Sequence, residues 1–300
     1  MKYLDELIKH NISFSEKGLV LADSCKSIIS QYLNEIEDLL IEYKNISVKR
    51  KQKEIKEKIK ELCKEAECNL YDEIIDFTAE TITAENKWFS KVGKQYFGKL
   101  FDIPDKLENL IKDYPFVTVG TIYTFASEIS KRMYNKSIGL VDSSYILGVD
   151  FEDLLKDADF DSIERITYND AESIGESLGN VYDRLVYTRN EKIIDKYQWI
   201  SILDTNTCPA CGELNGKVFD DISKIPLYPV HRCCRCTLIS FPVGIEPIDI
   251  PKYSEWIETQ DENIKKEILG KTRYSLYKEG MKISQFYKNG NLVLLKDLKK

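Results

Sequence analysis

Histidine is scarce in this chain: His10 and His231 are the only two in 300 residues. No G-x-S-x-G element is present, and "GELNGKV" lacks both the spacing and the following Ser/Thr of a phosphate-binding loop, so no familiar catalytic signature is offered. No stretch approaches the ~20 apolar residues needed to cross a bilayer, and no membrane partner is expected. The opening "MKYLDELIKHNISFSEKG" carries scattered charges where a secretory signal needs a continuous apolar region, so the cytosol is the expected compartment. In that reducing setting clustered cysteines are metal ligands or catalytic groups more often than disulfides. A net charge of -7 argues against the whole surface being a nucleic-acid face, while leaving room for local basic patches.

The residues present are mostly in helical patterns. Hydrophobic residues at 43% and charged residues at 31% fit a soluble globular protein, and the length suggests two lobes or one domain with extensions. Leu33, Ile36, Leu40 and Tyr43 recur at three- and four-residue steps, which predicts an amphipathic helix over 29–43. Ile55, Ile59 and Leu62 keep that register through a Lys/Glu-rich run, predicting a long exposed helix with Ser47 as its N-cap. Between Trp88 and Phe101 aromatics and glycines interleave as a bent segment, and Pro104 and Pro115 punctuate the chain beyond it. Ile163, Ile166, Ile174, Leu178, Val181 and Leu185 form a further stripe. After Trp199 the chain turns to Gly, Pro, Cys and short β-prone pieces. Helix resumes at "SEWIETQDENIKKEILG", and Asn289-Gly290 between apolar residues signals a hairpin or turn. The expected fold is therefore mainly α: a helical N-terminal region (1–115), a helical lead-in (116–194), a loop-rich α+β module (195–245) and a helical and hairpin tail (246–300).

Five of the eight cysteines and one histidine fall within residues 208–236. Zinc bound by thiolates and imidazole takes four ligands in a tetrahedron, commonly as two close pairs on tight turns. Cys208 and Cys211 are one such pair; His231, Cys233, Cys234 and Cys236 offer more donors than one ion needs. Two quartets compete: Cys208, Cys211 and His231 with Cys234 or Cys236, or the all-thiolate set Cys208, Cys211, Cys233 and Cys236. Either site would be closed, hence structural rather than catalytic. A redox reading of "CPAC" lacks the βαβ context, and a zinc deaminase would need an H-x-E that neither His10 nor His231 begins. Cys25, Cys63 and Cys68 fall singly in helical patterns, with Cys63 and Cys68 on different faces, and His10 has no partner acid nearby in sequence, so none is assigned a role.

The order of Trp199, Asp204, Thr207, Cys208, Cys211, Gly216, Lys217, His231, Cys234, Arg235 and Cys236 resembles the phage Mu protein F-like, or head morphogenesis, family of minor head proteins from tailed bacteriophages. Trp256, Gln260, Leu269-Gly270, Arg273, Leu276-Tyr277 and Gly280 resemble the tail that often accompanies that element. The likeness covers about the last third of the chain plus a helical lead-in at 160–190. It departs at Cys233, where the family typically has Asn, which favours the quartets containing His231. It departs again at "TYNDAES", so Asp170 and Glu172 inherit no role.

The resemblance implies a non-enzymatic minor head component of phage or prophage, found in the virion and host cytoplasm. Its implied partners are portal, scaffold and capsid proteins, and it would carry structural Zn2+, with Trp199, Asp204 and Thr207 orienting the knuckle. A DNA-binding alternative rests on seven Lys/Arg against two Glu between Lys49 and Lys60, and on Arg232 and Arg235 beside the knuckle. A toxin-like ADP-ribosyltransferase would need a second domain with an Arg, a Ser-Thr-Ser-like strand and a Glu-x-Glu; Glu35-Ile-Glu37 and Glu65-Ala-Glu67 fit only that last spacing, and both lie in helical patterns.

Overall fold

A computed structural model describes residues 2–103, 107–116, 119–226, 230–231, 234–288 and 291–298. The architecture is mainly α with a small sheet, as the patterning leads one to expect. Two long helices, α1 (Lys2–Tyr43) and α2 (Lys49–Val92), form the frame. At 1.5 Å per residue α2 extends about 66 Å. It buries one row, Ile55, Ile59, Cys63, Ala66, Leu70 and Ile74, and turns most of its Lys/Glu positions to water, with Glu85 buried near its far end. Burying each Ile or Leu contributes about 1.5–3 kcal/mol, well above the few tenths that a β-branched residue costs in a helix. Leu62 is half-buried; of the three single cysteines, whose helical setting leads one to expect buried or half-buried thiols, Cys25 and Cys63 are buried but Cys68 is exposed.

Helices α3 (Leu107–Lys112), α4 (Ile122–Leu147), α5 (Phe151–Leu155) and α6 (Asp161–Arg189) complete a bundle in which α1 lies along α6 and α2 along α4. The α1 to α6 crossing is close because small residues face each other. A Cβ added at Gly175 would meet the Gly18 Cα at 2.7 Å, and one at Gly179 would lie 2.1 Å from the Phe14 ring. Ile163, Ile174, Leu178 and Val181 of the stripe are buried there, with Ile166 and Leu185 half-buried.

Several boundaries differ from the patterning. Helix α1 starts far upstream of residue 29. Ser47 does not cap α2: the N-cap is Val48, whose side chain makes no cap bond. The amide of Ile46, whose side chain is buried, donates to Ser144 Oγ at 3.3 Å, which pins the linker to α4 and leaves Ser47 facing water. After Val92 the chain enters one π turn, Gly93–Phe97, and Gly98 ends it at φ 63°, which is the bend expected in the aromatic segment. Pro115 lies between α3 and α4, while Pro104 lies outside the described residues.

His10 does have an acidic partner: its Nε2 lies 2.7 Å from Glu85 Oε2, and its ring stacks on Trp88 at 3.9 Å. Sequence could not pair them because they sit 75 residues apart. Beside Glu85, on α6, Asp183 is fully buried, and neither of its oxygens has a hydrogen-bond partner among the described residues. Burial, and then the Glu85 charge, push the Asp183 carboxyl well above its ordinary value.

Strand β1 (Ile194–Ile200) runs between β2 (Val218–Phe219) and β3 (Thr237–Pro242) in an antiparallel sheet, with Trp199 opposite Leu238. Helix α7 (Pro209–Leu214) lies in the connection between β1 and β2. The tail is not one helix: α9 (Glu262–Lys278) is kinked at Gly270, whose φ is 68°, and a break separates it from α8 (Tyr253–Thr259). The break comes from Asp261, which accepts from the amides of Asn263 and Ile264 at 2.9 Å and so starts a new helix. Strands β4 (Tyr287–Lys288) and β5 (Asn291–Leu292) pair antiparallel; the expected turn residues Asn289-Gly290 between them lie outside the described residues. Tyr253, Ile257, Leu269, Ile283, Phe286 and Leu298 give the tail its own small core. Among the described residues no helix is long and apolar enough to cross a membrane.

Candidate metal centre

The first cysteine pair is set by a helix start. Cys208 is the N-cap of α7, with Pro209 at the first helical position, and its Sγ accepts from the Cys211 amide at 3.3 Å. A sulfur in the cap position and a second one turn on therefore face the same side. The second group arrives on the approach to β3, whose first residue directly follows Cys236. Ser201, just past β1, ties the two halves together: its hydroxyl donates to the Cys211 carbonyl at 2.7 Å and lies 3.3 Å from Cys236 Sγ. From the bundle, Asn180 of α6 donates its amide to the Cys236 carbonyl at 3.2 Å.

Five donors converge. Cys208, Cys211 and His231 form one set, and Cys211, Cys234 and Cys236 another; within each set the ligand atoms lie within 4.8 Å of one another, and Cys211 belongs to both. His231 Nε2 is 3.0 Å from both Cys208 Sγ and Cys211 Sγ, and Cys211 Sγ is 3.8 Å from Cys234 Sγ. Two sulfurs bound at about 2.3 Å to one tetrahedral ion stand about 3.8 Å apart, whereas a disulfide would hold them at about 2.05 Å. The spacing suits ligands sharing an ion. Cys233 and Arg232 lie outside the described residues, so the all-thiolate quartet falls outside them too.

Cys211, Cys234 and Cys236 are buried, Cys208 and His231 half-buried. Hydrogen bonds to Cys234 and Cys236, followed by burial, push the Cys211 thiol up, while the bonds with Cys211 and Cys236 draw Cys234 down. Cys236 is pushed up: the Cys211 bond lowers it, but the Cys234 bond and burial outweigh that. Close-packed thiols thus compete for protons, a conflict that a cation removes by binding several as thiolates.

The surrounding residues fix the loops. Arg235 forms a two-pronged pair with Asp204, Nη1 to Oδ2 at 2.6 Å and Nη2 to Oδ1 at 2.8 Å. That bond is the main reason the Asp204 carboxyl lies below its ordinary value. Asp204 Oδ1 also accepts from the Asn206 amide at 2.9 Å, and Thr207 Oγ1 accepts from the Asp204 amide while donating to the Ile202 carbonyl, both at 2.7 Å. Asp204 and Thr207 therefore satisfy loop amides as the sequence suggests. Trp199 is fully buried in the central strand, and its backbone bonds Gly216 and Lys217, with Gly216 at φ 80° where a side chain would be strained.

Three supporting residues have no signal in the sequence pattern. Asn215 receives the Ser201 amide at 2.9 Å and donates to the Pro251 carbonyl at 3.0 Å. Tyr253 of α8 donates its hydroxyl to the Thr207 carbonyl at 2.9 Å, and its ring covers Gly212, where a Cβ would approach within 2.3 Å. Ser201 is equally invisible, since only the fold brings it under the thiols. Together these groups could hold a metal ion in a braced site. Comparison with family models, with curated proteins and with solved structures yields no match for this chain.

Proposed function

We propose that the chain is a structural protein whose Cys/His module is organised by a single zinc ion, held by Cys208, Cys211 and His231 with Cys234 or Cys236. Thiolate and imidazole donors suit zinc, the Cys211 to Cys234 spacing is that of sulfurs sharing a tetrahedral ion, and four protein ligands would close the coordination shell, which suits a structural role. Within that class we infer a minor head protein of a tailed bacteriophage, acting non-enzymatically in head morphogenesis with portal, scaffold and capsid proteins, in the virion and host cytoplasm. The observation that carries this reading is the joining of the motif residues into one unit: the Asp204 to Arg235 pair locks the loop before the first cysteines to the loop bearing the last. A motif whose spacing serves one braced knuckle is what the family resemblance implies.

The DNA-binding alternative has in its favour the exposed cations near the start of α2. Against it, Arg235 is engaged by Asp204 rather than presented to a phosphate, and no aromatics interleave with the basic run. The test is co-expression with portal, scaffold and major capsid proteins of a tailed phage carrying this chain, with sedimentation of the assembled particles. The chain is expected in the particle fraction, and a Cys208→Ser variant is expected to be excluded. A chain that stays at the top of the gradient while particles assemble normally would overturn the reading.

A further inference from the structure

The pole of the bundle away from the cysteines has a composition that the metal centre does not explain. There α1 ends, α2 begins, α4 ends and α5 starts. The junction is held by the Phe151 amide donating to the Lys44 carbonyl at 2.8 Å and Asn45 Nδ2 donating to Asp150 at 2.6 Å. Ile41, Val48, Tyr145, Ile146 and Leu147 all face water at this end, Ile146 and Leu147 being 76% and 67% exposed. Single exposed apolar side chains are ordinary, but five at one pole form a patch.

Two charged blocks flank it. Residues 49–60 carry seven Lys/Arg against two Glu, and residues 150–161 carry six Asp/Glu against one Lys, so the blocks bear five positive and five negative charges net. They do not neutralise each other. Among the described residues, Lys49, Arg50, Lys51 and Lys53 make no ion pair, and neither do Glu152, Asp157 and Asp161. The first turn of α2 also sets its cations against the positive end of the helix dipole, with no acidic residue and no side-chain cap to offset them. A local arrangement that works against the helix it belongs to points to a use elsewhere.

We propose that this pole is a self-association face whose occupant is a second copy of the chain. A two-fold axis would set the basic block of one copy against the acidic block of the other and bury the two apolar patches between them. A two-fold interface requires a surface that complements itself, and this pole carries both signs around one apolar centre. A polyanion or an anionic bilayer would be attracted by residues 49–60 but repelled by residues 150–161. The inference stands on the pole alone and is independent of the metal centre and of the head-protein reading.

The test is sedimentation equilibrium of the full chain at low and high salt, with reductant present because Cys68 is exposed. A dimer is expected that weakens about tenfold or more in Ile146→Asp/Leu147→Asp and in either charge reversal, Lys49→Glu/Lys53→Glu or Glu152→Lys/Asp157→Lys. Mixing the two charge-reversed variants should restore association. All these positions are exposed, so unchanged helical circular dichroism separates lost association from lost folding. A monomer at every concentration, a dimer indifferent to the apolar variant, or a monomer that instead floats with phosphatidylserine vesicles or retards duplex DNA would overturn the proposal.

Discussion

Replacing Asp183 with Asn should stabilise the protein, and by more as the pH rises. The carboxyl is fully buried on α6, both oxygens lack hydrogen-bond partners among the described residues, and Glu85 approaches from α2. The other charged or titratable groups facing this junction are His10 and Lys17 of α1, both paired to Glu85, and the Tyr3 and Tyr182 hydroxyls. Because burial raises the folded-state pKa, the folded chain binds a proton at Asp183 that the unfolded chain has released. Stability is therefore full below the ordinary Asp value of about 3.9 and is lost as pH rises toward the raised folded value, at about 1.4 kcal/mol per pH unit. Asn cannot titrate and resembles the neutral acid in shape, so the stability difference between variant and wild type should grow at that slope across the window. Urea unfolding at a series of pH values from about 4 to 8 measures it. Parallel stability curves, or a variant less stable than wild type at neutral pH, would show that Asp183 is not held neutral by its burial.

Other substitutions test other parts of the fold. Gly179→Ala drives a methyl group into the Phe14 ring and should cost about 1–3 kcal/mol, whereas Gly139→Ala, on an exposed turn of α4 with open space around it, should stabilise by about 0.5–1 kcal/mol; paired thermal melts would show opposite shifts. Arg235→Lys keeps the charge but loses the two-pronged geometry. For this partly exposed pair a loss of about 1 kcal/mol is expected, together with faster metal release to a chromophoric chelator, and unchanged release would count against bracing by Asp204. Ser201→Ala should destabilise the fold by about 1 kcal/mol through the lost bond to the Cys211 carbonyl, which keeps the Asn215 amide at 3.1 Å, and so lower the melting temperature. An unshifted melt would show that bond to be dispensable.

The helical frame can be read from periodicity wherever one face alone is buried, as at Ile55 and Ile59 or along Ile163, Ile174 and Leu178. Its edges are harder, because they depend on contacts far away in sequence. The start of α2 is set by a bond to Ser144, and the Asp261 cap divides a run whose apolar spacing continues across the break. At the candidate site the donors are legible as spacing, since a two-residue spacer between cysteines already restricts where the sulfurs can face. Their supports are not: Asp204 and Arg235 are 31 residues apart, Asn180 and Cys236 are 56 apart, and nothing local distinguishes Asn180 or Ser201 from surface polar residues. The pairing of His10 with Glu85 escapes for the same reason.

Whether one zinc ion organises residues 208–236 can be decided by elemental analysis of the chain purified without chelator. One zinc per chain is expected, lost in Cys208→Ser and Cys211→Ser, retained in Cys233→Ser, and accompanied by a lower melting temperature when the metal is stripped. Metal-free protein with an intact fold and an unchanged melt in Cys211→Ser would contradict a zinc-organised module.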